Sequence, residues 1–573
     1  MAKTLEQLRS QRWFADDSMR AFAHRQRTQQ TGYRRDEFMG RPVIAIINTW
    51  SDISTCHVHL RERAQRVREG IIRAGGFPLE LPALSLGEVM VKPTTMLYRN
   101  LLAMETEELL RSHPIDGAVL MGGCDKTTPA LLMGAFSMNI PAIYVPAGAT
   151  LSGWFQGEKI GTGTHTRKYW DEKRAGNLSE EAWLKLESSM TRSHGTCNTM
   201  GTASTMTLIA EAMGMSLPGS ATIPAADSAH PRMCALAGER IVQMVWEDLT
   251  PREIVTRESL ENAIITYMAL GGSTNAAIHL VALAGRLGLE LPLEWLDQWS
   301  QKIPVIANLM PAGQYLMEDL YYAGGSQGLL SRLTDFLHLQ ARNVNGATLG
   351  ENIQGSPIYN DDVIRPLDRP ISTQGTLAVL RGNLCPDGAV IKPAAATPEL
   401  LVHRGRALVF ENHAQMSAQI DDPALEVDAN TVLVLKNAGP QGAPGMPEWG
   451  GLPIPKKLLA QGIRDLVRIS DARMSGTHFG TCVLHVAPES YAGGPLALVQ
   501  TGDWIELDVP KRRLHLDISE EELAARRAAW QPPAKVFARG YAVLYGQHVT
   551  QANLGCDFDF LQGTDPVPEP EIF

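Results

Sequence analysis

Apolar residues fall along the chain in two textures. In the first, short apolar runs end in glycine or polar residues and alternate with stretches of helical period. RPVIAIINTW (41–50) reads as a buried strand. LRERAQRVREGIIRAGG (60–76) follows with helical spacing and a Gly-Gly stop. IDGAVLMGG (115–123) and IPAIYVPAG (140–148) repeat the strand-then-glycine pattern, and TMTLIAEAMGMS (205–216) and ALAGERIVQMVWEDL (235–249) predict helices. Strands alternating with helices predict a mostly parallel sheet covered on both faces, with ligands gathered at the loops after the strand C-termini. Over 341–375 the texture changes to a Gly-, Asn-, Asp- and Pro-rich stretch, which reads as a domain connection or a long surface excursion. Beyond it come shorter, β-like runs: TLAVLRG, RALVFEN, NTVLVLKNAG, TCVLHVAPE and DWIELDVPKRRLHLDI. They predict a β-rich second domain, a barrel or a sandwich. The tail from Gln562 is Pro-rich and expected to be extended.

Composition narrows the classes. A chain of 573 residues suggests about three or four domains, or two large α/β ones. Lys plus Arg number 52 and Asp plus Glu 62, a formal charge of −10, which argues against a general nucleic-acid binder. No apolar run approaches the length of a membrane span, and the N-terminus MAKTLEQLRSQRW lacks the apolar core of a signal peptide. A cytoplasmic protein with no membrane or nucleic-acid partner is therefore expected. The 7 cysteines, odd in number and far apart, read as free thiols or metal ligands rather than disulfides.

Three cysteines stand in small-residue or polar loops: Cys56 (SDISTCHVHL), Cys124 (MGGCDKTTPA) and Cys197 (SHGTCNTMGTASTM). No CxxC occurs, so zinc ribbons, thioredoxin motifs and ferredoxin-type clusters are not supported. Three thiolates from three strand-end loops would leave one coordination position open, as in a catalytic site; three unrelated buried thiols fit the spacing better, since free cysteine is commonly buried. Cys234, Cys385, Cys482 and Cys556 read as ordinary buried thiols. Asp125 and Lys126 follow Cys124 directly, placing a soft ligand, a hard oxygen and an amine side by side. Glu88 (LSLGEVM) and Glu448 (GMPEWGG) are carboxylates in Gly- or Pro-rich loops. Ser475, in ISDARMSGTHFGT with Thr477 beside it, is a candidate base or nucleophile but not a GxSxG elbow. GGSTNAAIHL (271–280) reads as a glycine turn before a helix. GTGTHTRKYW (161–170), with His165, Arg167, Lys168 and Tyr169, reads as a loop near a polyol-acid substrate or as a solvated loop, the first being favoured. His57 and His59 in HVH are a weak zinc pair.

At these same residues the chain resembles the dihydroxy-acid/phosphogluconate dehydratase family. CHVHL, GGCDKTTPA, GTCNTMGTASTM, GGSTNAAIHL, GMPEWG and DARMSGTHFGT occur in family order from residue 56 to 481. The resemblance implies an iron–sulfur hydro-lyase with an α/β N-terminal domain and a C-terminal β-barrel-like domain, divided here as 1–370 and 371–573. Cys56, Cys124 and Cys197 would hold the cluster. Glu88, Asp125 and Glu448 would ligate Mg²⁺ together with Lys126, which matches a family lysine that is carbamylated. Ser475 would be the base, and Thr477 beside it would contact substrate, as would His165 on the reading of its own loop. The stretch 84–110 looks like the sugar-acid branch, which implies a 2Fe-2S cluster and a small sugar acid as substrate. His165 and Thr166 depart from what that branch usually carries in their loop. A homodimer or homotetramer is implied. The runner-up is the branched-chain dihydroxy-acid dehydratase, or a promiscuous enzyme also acting on glycerate. Rivals from other classes are an iron–sulfur electron carrier or sensor, which needs no hard-metal ligands, and a zinc hydrolase built on HVH.

Overall fold

A computed structural model describes residues 3–534, 537–565 and 567–572. Four parallel strands form the first sheet: β1 (Val43–Asn48), β2 (Phe77–Pro82), β3 (Gly117–Gly122) and β4 (Ala142–Pro146), in the order β2-β1-β3-β4. Three strands are buried throughout while the edge strand β2 is only partly covered, so the near-continuous apolar runs match two-sided burial. The crossovers are α1 (Leu60–Arg73), α2 (Met96–Ser112) and α3 (Thr127–Met138).

A small hairpin, β5 (Gly153–Phe155) and β6 (Glu158–Ile160), leads into α4 (Thr164–Arg174). Next come α5 (Thr202–Ala212), α6 (Ala229–Glu247), α7 (Arg257–Ala269) and α8 (Asn275–Arg286). The helices expected near 205–216 and 235–249 are α5 and α6, each beginning a few residues earlier. Helices α6 and α1 touch backbone to backbone. A Cβ on Gly70 would lie 2.0 Å from the Ala235 carbonyl oxygen, and one on Gly238 would lie 2.2 Å from that of Val67. Only glycine permits that approach.

The second sheet has eight strands: β7 (Ala378–Leu380), β8 (Gly388–Ile391), β9 (Val402–Phe410), β10 (Val432–Leu435), β11 (Arg468–Ser470), β12 (Cys482–Ala487), β13 (Trp504–Asp508) and β14 (Arg513–Leu516). Their order is β14-β13-β9-β10-β11-β12-β8-β7. The central four run parallel and the flanking pairs antiparallel. Beyond β7, Arg381 N–H donates to the Arg512 carbonyl at 2.9 Å and Leu514 N–H to the Arg381 carbonyl at 2.8 Å. First and last strands thus meet, and the sheet is a nearly closed barrel, which removes its free edges. Its interior is packed with Val434, Ile469, Val483, Ile505 and Leu516.

The stretch 341–375 is pinned rather than loose. Val344, Leu349, Val363 and Ile364 are buried, and bridges tie Ile364 to Ala307 and Ser372 to Val305. In the tail, Glu569 pairs with Arg9 at 2.6 Å and with Arg12 at 2.8 Å. Among the described residues no helix is long and apolar enough to cross a membrane.

Candidate active site

Both sheets send the loops after parallel strands to one place. The loop after β1 carries Cys56 and His57, that after β2 carries Glu88, and that after β3 carries Cys124, Asp125 and Lys126. Beyond β4, a bridge between Ala149 and Thr196 brings in the Cys197 segment. From the barrel, the loop after β10 supplies Glu448 and the loop after β11 supplies Arg473, Ser475 and Thr477.

Lys126 caps the N-terminus of α3 and its side chain is wholly buried. Its Nζ lies 3.0 Å from Glu88 Oε2, 3.3 Å from Asp125 Oδ2 and 3.3 Å from Glu448 Oε1. Burial and the Arg473 charge oppose the ammonium, but the three carboxylates outweigh them and raise its pKa. Burial also works against the Glu88 carboxylate, yet Lys126, Arg473 and Thr95 hold it down to about 2. Burial instead raises Asp125.

Arg473, within the DARMSGTHFGT motif, has no signal of its own in the sequence, yet it organises this cage. Its fully buried guanidinium donates to Glu448 Oε1 at 3.0 Å, Thr94 Oγ1 at 3.0 Å and the Met446 carbonyl at 2.8 Å. Thr94 Oγ1 donates onward to Glu88 Oε1 at 2.8 Å, and Thr95 Oγ1 donates to Glu88 Oε2. Asn275, from the GGSTN turn, donates to Glu448 Oε1 at 2.8 Å.

The Cys56 and Cys124 thiols face each other. Their contact comes first, and burial second, in raising the Cys56 pKa, with Cys197 and Asp125 adding charge. Burial pushes Cys197 up to about 12. His57 holds the Cys124 loop: the Cys124 N–H donates to His57 Nε2 at 3.1 Å. All seven cysteines are free; Cys234, Cys385, Cys482 and Cys556 are buried elsewhere.

The donor set fits the two groups that the sequence suggests. Three carboxylates converging on one buried cation are hard oxygen donors of the kind Mg²⁺ takes. Three thiols from three loops are soft donors suited to iron. As the side chains stand, with the ammonium in the middle, no three His, Cys, Asp or Glu among the described residues close on one point at metal-ligand distance.

Ser475 Oγ lies 2.9 Å from Thr477 Oγ1 and accepts from Thr477 N–H at 3.4 Å. Among the described residues no histidine bonds to it. The loop is wedged against the GGSTN turn: a Cβ on Gly476 would lie 2.6 Å from Ser273 Cβ and 2.9 Å from Thr202 N.

His165 is turned to other work. Its Nδ1 accepts from Gly161 N–H at 3.0 Å, its Nε2 lies 3.5 Å from Glu158 on the hairpin, and burial lowers its pKa. It does not join the carboxylates and thiols. The HVH pair is also divided. His59 Nε2 donates to the Ala147 carbonyl at 2.7 Å, and burial lowers the pKa of His57 to about 3 and that of His59 to about 2. The two rings share no third ligand, so a zinc site there has no support.

Residues 41–352 match the profile of the dihydroxy-acid/6-phosphogluconate dehydratase N-terminal domain, and residues 362–556 match that of the C-terminal domain. A 6-deoxy-6-sulfo-D-gluconate dehydratase of Pseudomonas putida is 61% identical over 573 residues, covering 100% of this chain and 99% of its own. An L-arabinonate dehydratase of Rhizobium leguminosarum bv. trifolii is 53% identical, over 97% of this chain and 96% of its own. A dihydroxy-acid dehydratase of Caldicellulosiruptor bescii is more distant, 38% identical over 91% of this chain and 95% of its own.

Proposed function

The chain belongs to the dihydroxy-acid/6-phosphogluconate dehydratase family and is a hydro-lyase, and on that premise we propose that it dehydrates a sugar acid to a 2-keto-3-deoxy acid. The observation that carries this reading is the buried Lys126 caged by Glu88, Asp125 and Glu448 beside three free thiols and Ser475. An electron carrier has no use for the carboxylate cage. The relatives of 53% and 61% identity, named for sugar-acid substrates, favour that class over branched-chain acids.

Cys56, Cys124 and Cys197 would hold a 2Fe-2S cluster. Glu88, Asp125, Glu448 and a carbamylated Lys126 would hold Mg²⁺. When bound, the two groups supply Lewis acidity to the substrate oxygens, where charge develops as hydroxide leaves. Carbamylation exchanges the ammonium for a fourth anion in the cage, so a divalent cation is then needed to balance it.

Ser475 Oγ takes the C2 proton. Thr477 presents a hydroxyl and an N–H to that oxygen, and hydrogen bonds to the anionic form favour it. The C3 hydroxyl departs and receives that proton from Ser475 to leave as water, which restores the Ser475 anion, and the resulting enol tautomerises to the ketone. Arg473, Thr94, Thr95 and Asn275 fix the carboxylates, so the acceptors do not rearrange during the reaction.

The test is anaerobic turnover with Mg²⁺ across aldonates of three to six carbons, 6-deoxy-6-sulfo-D-gluconate and 2,3-dihydroxyisovalerate, with iron and sulfide counted. Fastest turnover on a sugar acid, with two irons per chain, is the expected result. A preference for 2,3-dihydroxyisovalerate moves the enzyme to the branched-chain class. A loaded cluster without turnover on any acid overturns the substrate class.

A further inference from the structure

Helix α4 carries Arg167, Lys168, Lys173 and Arg174. Three of them have acidic partners. Lys168 lies 3.4 Å from Glu158, Lys173 2.9 Å from Glu180, and Arg174 2.7 Å from Asp421. The Arg167 guanidinium has neither an ion-pair nor a hydrogen-bond partner among the described residues, and its Nε is buried. The residue is half-buried, with Nε closed off and the terminal nitrogens still open, so an incoming anion can reach them.

The start of α4 fixes where Arg167 sits. Thr164 Oγ1 donates to the Thr477 carbonyl at 2.8 Å. Gly163 has φ +76°, and a Cβ there would lie 2.3 Å from Thr477 Oγ1. The first turn of α4 is therefore seated on the Ser475–Thr477 loop, with Arg167 one turn in. The ionisable groups facing its guanidinium are Glu448, Asp171 and Cys197, with His478 on another side. None of them lies within ion-pair or hydrogen-bond distance of it. Glu448 gives its Oε1 to Lys126, Arg473 and Asn275, and Asp171 lies 3.8 Å from Arg174.

We propose that Arg167 binds an oxyanion of the substrate and thereby selects which sugar acids are dehydrated. The inference rests on the sugar-acid reading above. A guanidinium fork matches two oxygens of a carboxylate or a sulfonate. Two sources supply that group: the C1 carboxylate of every sugar acid, or a terminal sulfonate carried by a few. An arginine serving the first is general; one serving the second makes the pocket a reader of the far end.

The experiment compares the loaded enzyme with Arg167→Gln and Arg167→Lys on L-arabinonate, D-gluconate and 6-deoxy-6-sulfo-D-gluconate. Iron content and thermal midpoint are matched first, with the lysine variant as the milder change should the glutamine variant fold poorly. KM should rise at least tenfold with glutamine and recover partly with lysine, while kcat changes less. A rise on all three acids assigns the C1 carboxylate, and a rise confined to the sulfonate assigns the terminal group. KM within twofold of wild type on all three overturns the proposal.

Calorimetric titration with 3-deoxy aldonates, with and without a terminal sulfonate, separates binding from turnover because they have no hydroxyl to lose at C3. If wild type binds one of them and Arg167→Gln does not, Arg167 stands even where turnover fails. If wild type binds neither and turns over no sugar acid, both readings fall.

Discussion

Lys126 and Arg473 are two cations set among three carboxylates, and each holds the other's neighbours in place. Replacing Arg473 by Met would strip Glu448 and Thr94 of a buried donor. We expect a loss of about 3–5 kcal/mol, read as a lower denaturation midpoint. Ser475→Ala should behave differently. It removes one oxygen from a loop that is otherwise backbone-held, so iron content and stability should stay while kcat falls by about 10²–10⁴. Near-normal turnover would remove Ser475 as the base. The thiols, the acids and Ser475 were legible in the sequence because each sits in a short loop of unusual composition. Arg473 was not, since its role depends on Glu448 and Thr94, both remote in sequence. His165 shows another limit. Read as a loop, its segment offers His165 and Arg167 alike. Folded as a helix, residues two apart point roughly 200° apart, so one meets the hairpin and the other the site.

At the scale of elements, the loops after β10, β11 and β12 are held together by buried acids. Glu489, just after β12, accepts from Gly442 N–H at 2.9 Å and Gln551 Nε2 at 2.9 Å. Burial, with Asp471 adding to it, raises its pKa from 4.5 to about 7. Between those values the folded chain keeps a proton that the unfolded chain releases. This contribution to stability is fully present below the lower value and is lost as pH rises through the upper one. From pH 5 to 7 the Glu489 contribution should have a slope of at most about 1.4 kcal/mol per pH unit. Glu489→Gln should flatten the profile; an unchanged slope in chemical denaturation across that range would refute the assignment. Strand and helix alternation made the first sheet readable. The parallel centre of the barrel was not, because short β-like runs look alike whichever way their partners run.

In the whole molecule, the segment 555–557 beyond the barrel returns to the first half. Arg286 of α8 bonds Asp557 at 2.6 Å with both side chains fully buried, and Arg99 of α2 donates to the Gly555 and Cys556 carbonyls. No local pattern reveals such docking, nor that the strap over 341–375 is pinned to the first half. With the halves interlocked there and at the carboxylate cage, calorimetry should show one unfolding transition rather than two. Arg286→Met should lower stability by about 3–5 kcal/mol, because it leaves Asp557 buried and unpaired.

The division of the cage between the two halves also sets a clock. Glu448 follows Lys126 by 322 residues. At roughly 5–20 residues per second, a ribosome needs between about 15 and 65 s to add it. Cys56 and Cys124 are already made when that interval begins and Cys197 follows within its first quarter, all before the barrel loops that wall them in. On the reading proposed above, iron would reach a nascent chain, whereas the carboxylate cage cannot close until Glu448 has been made.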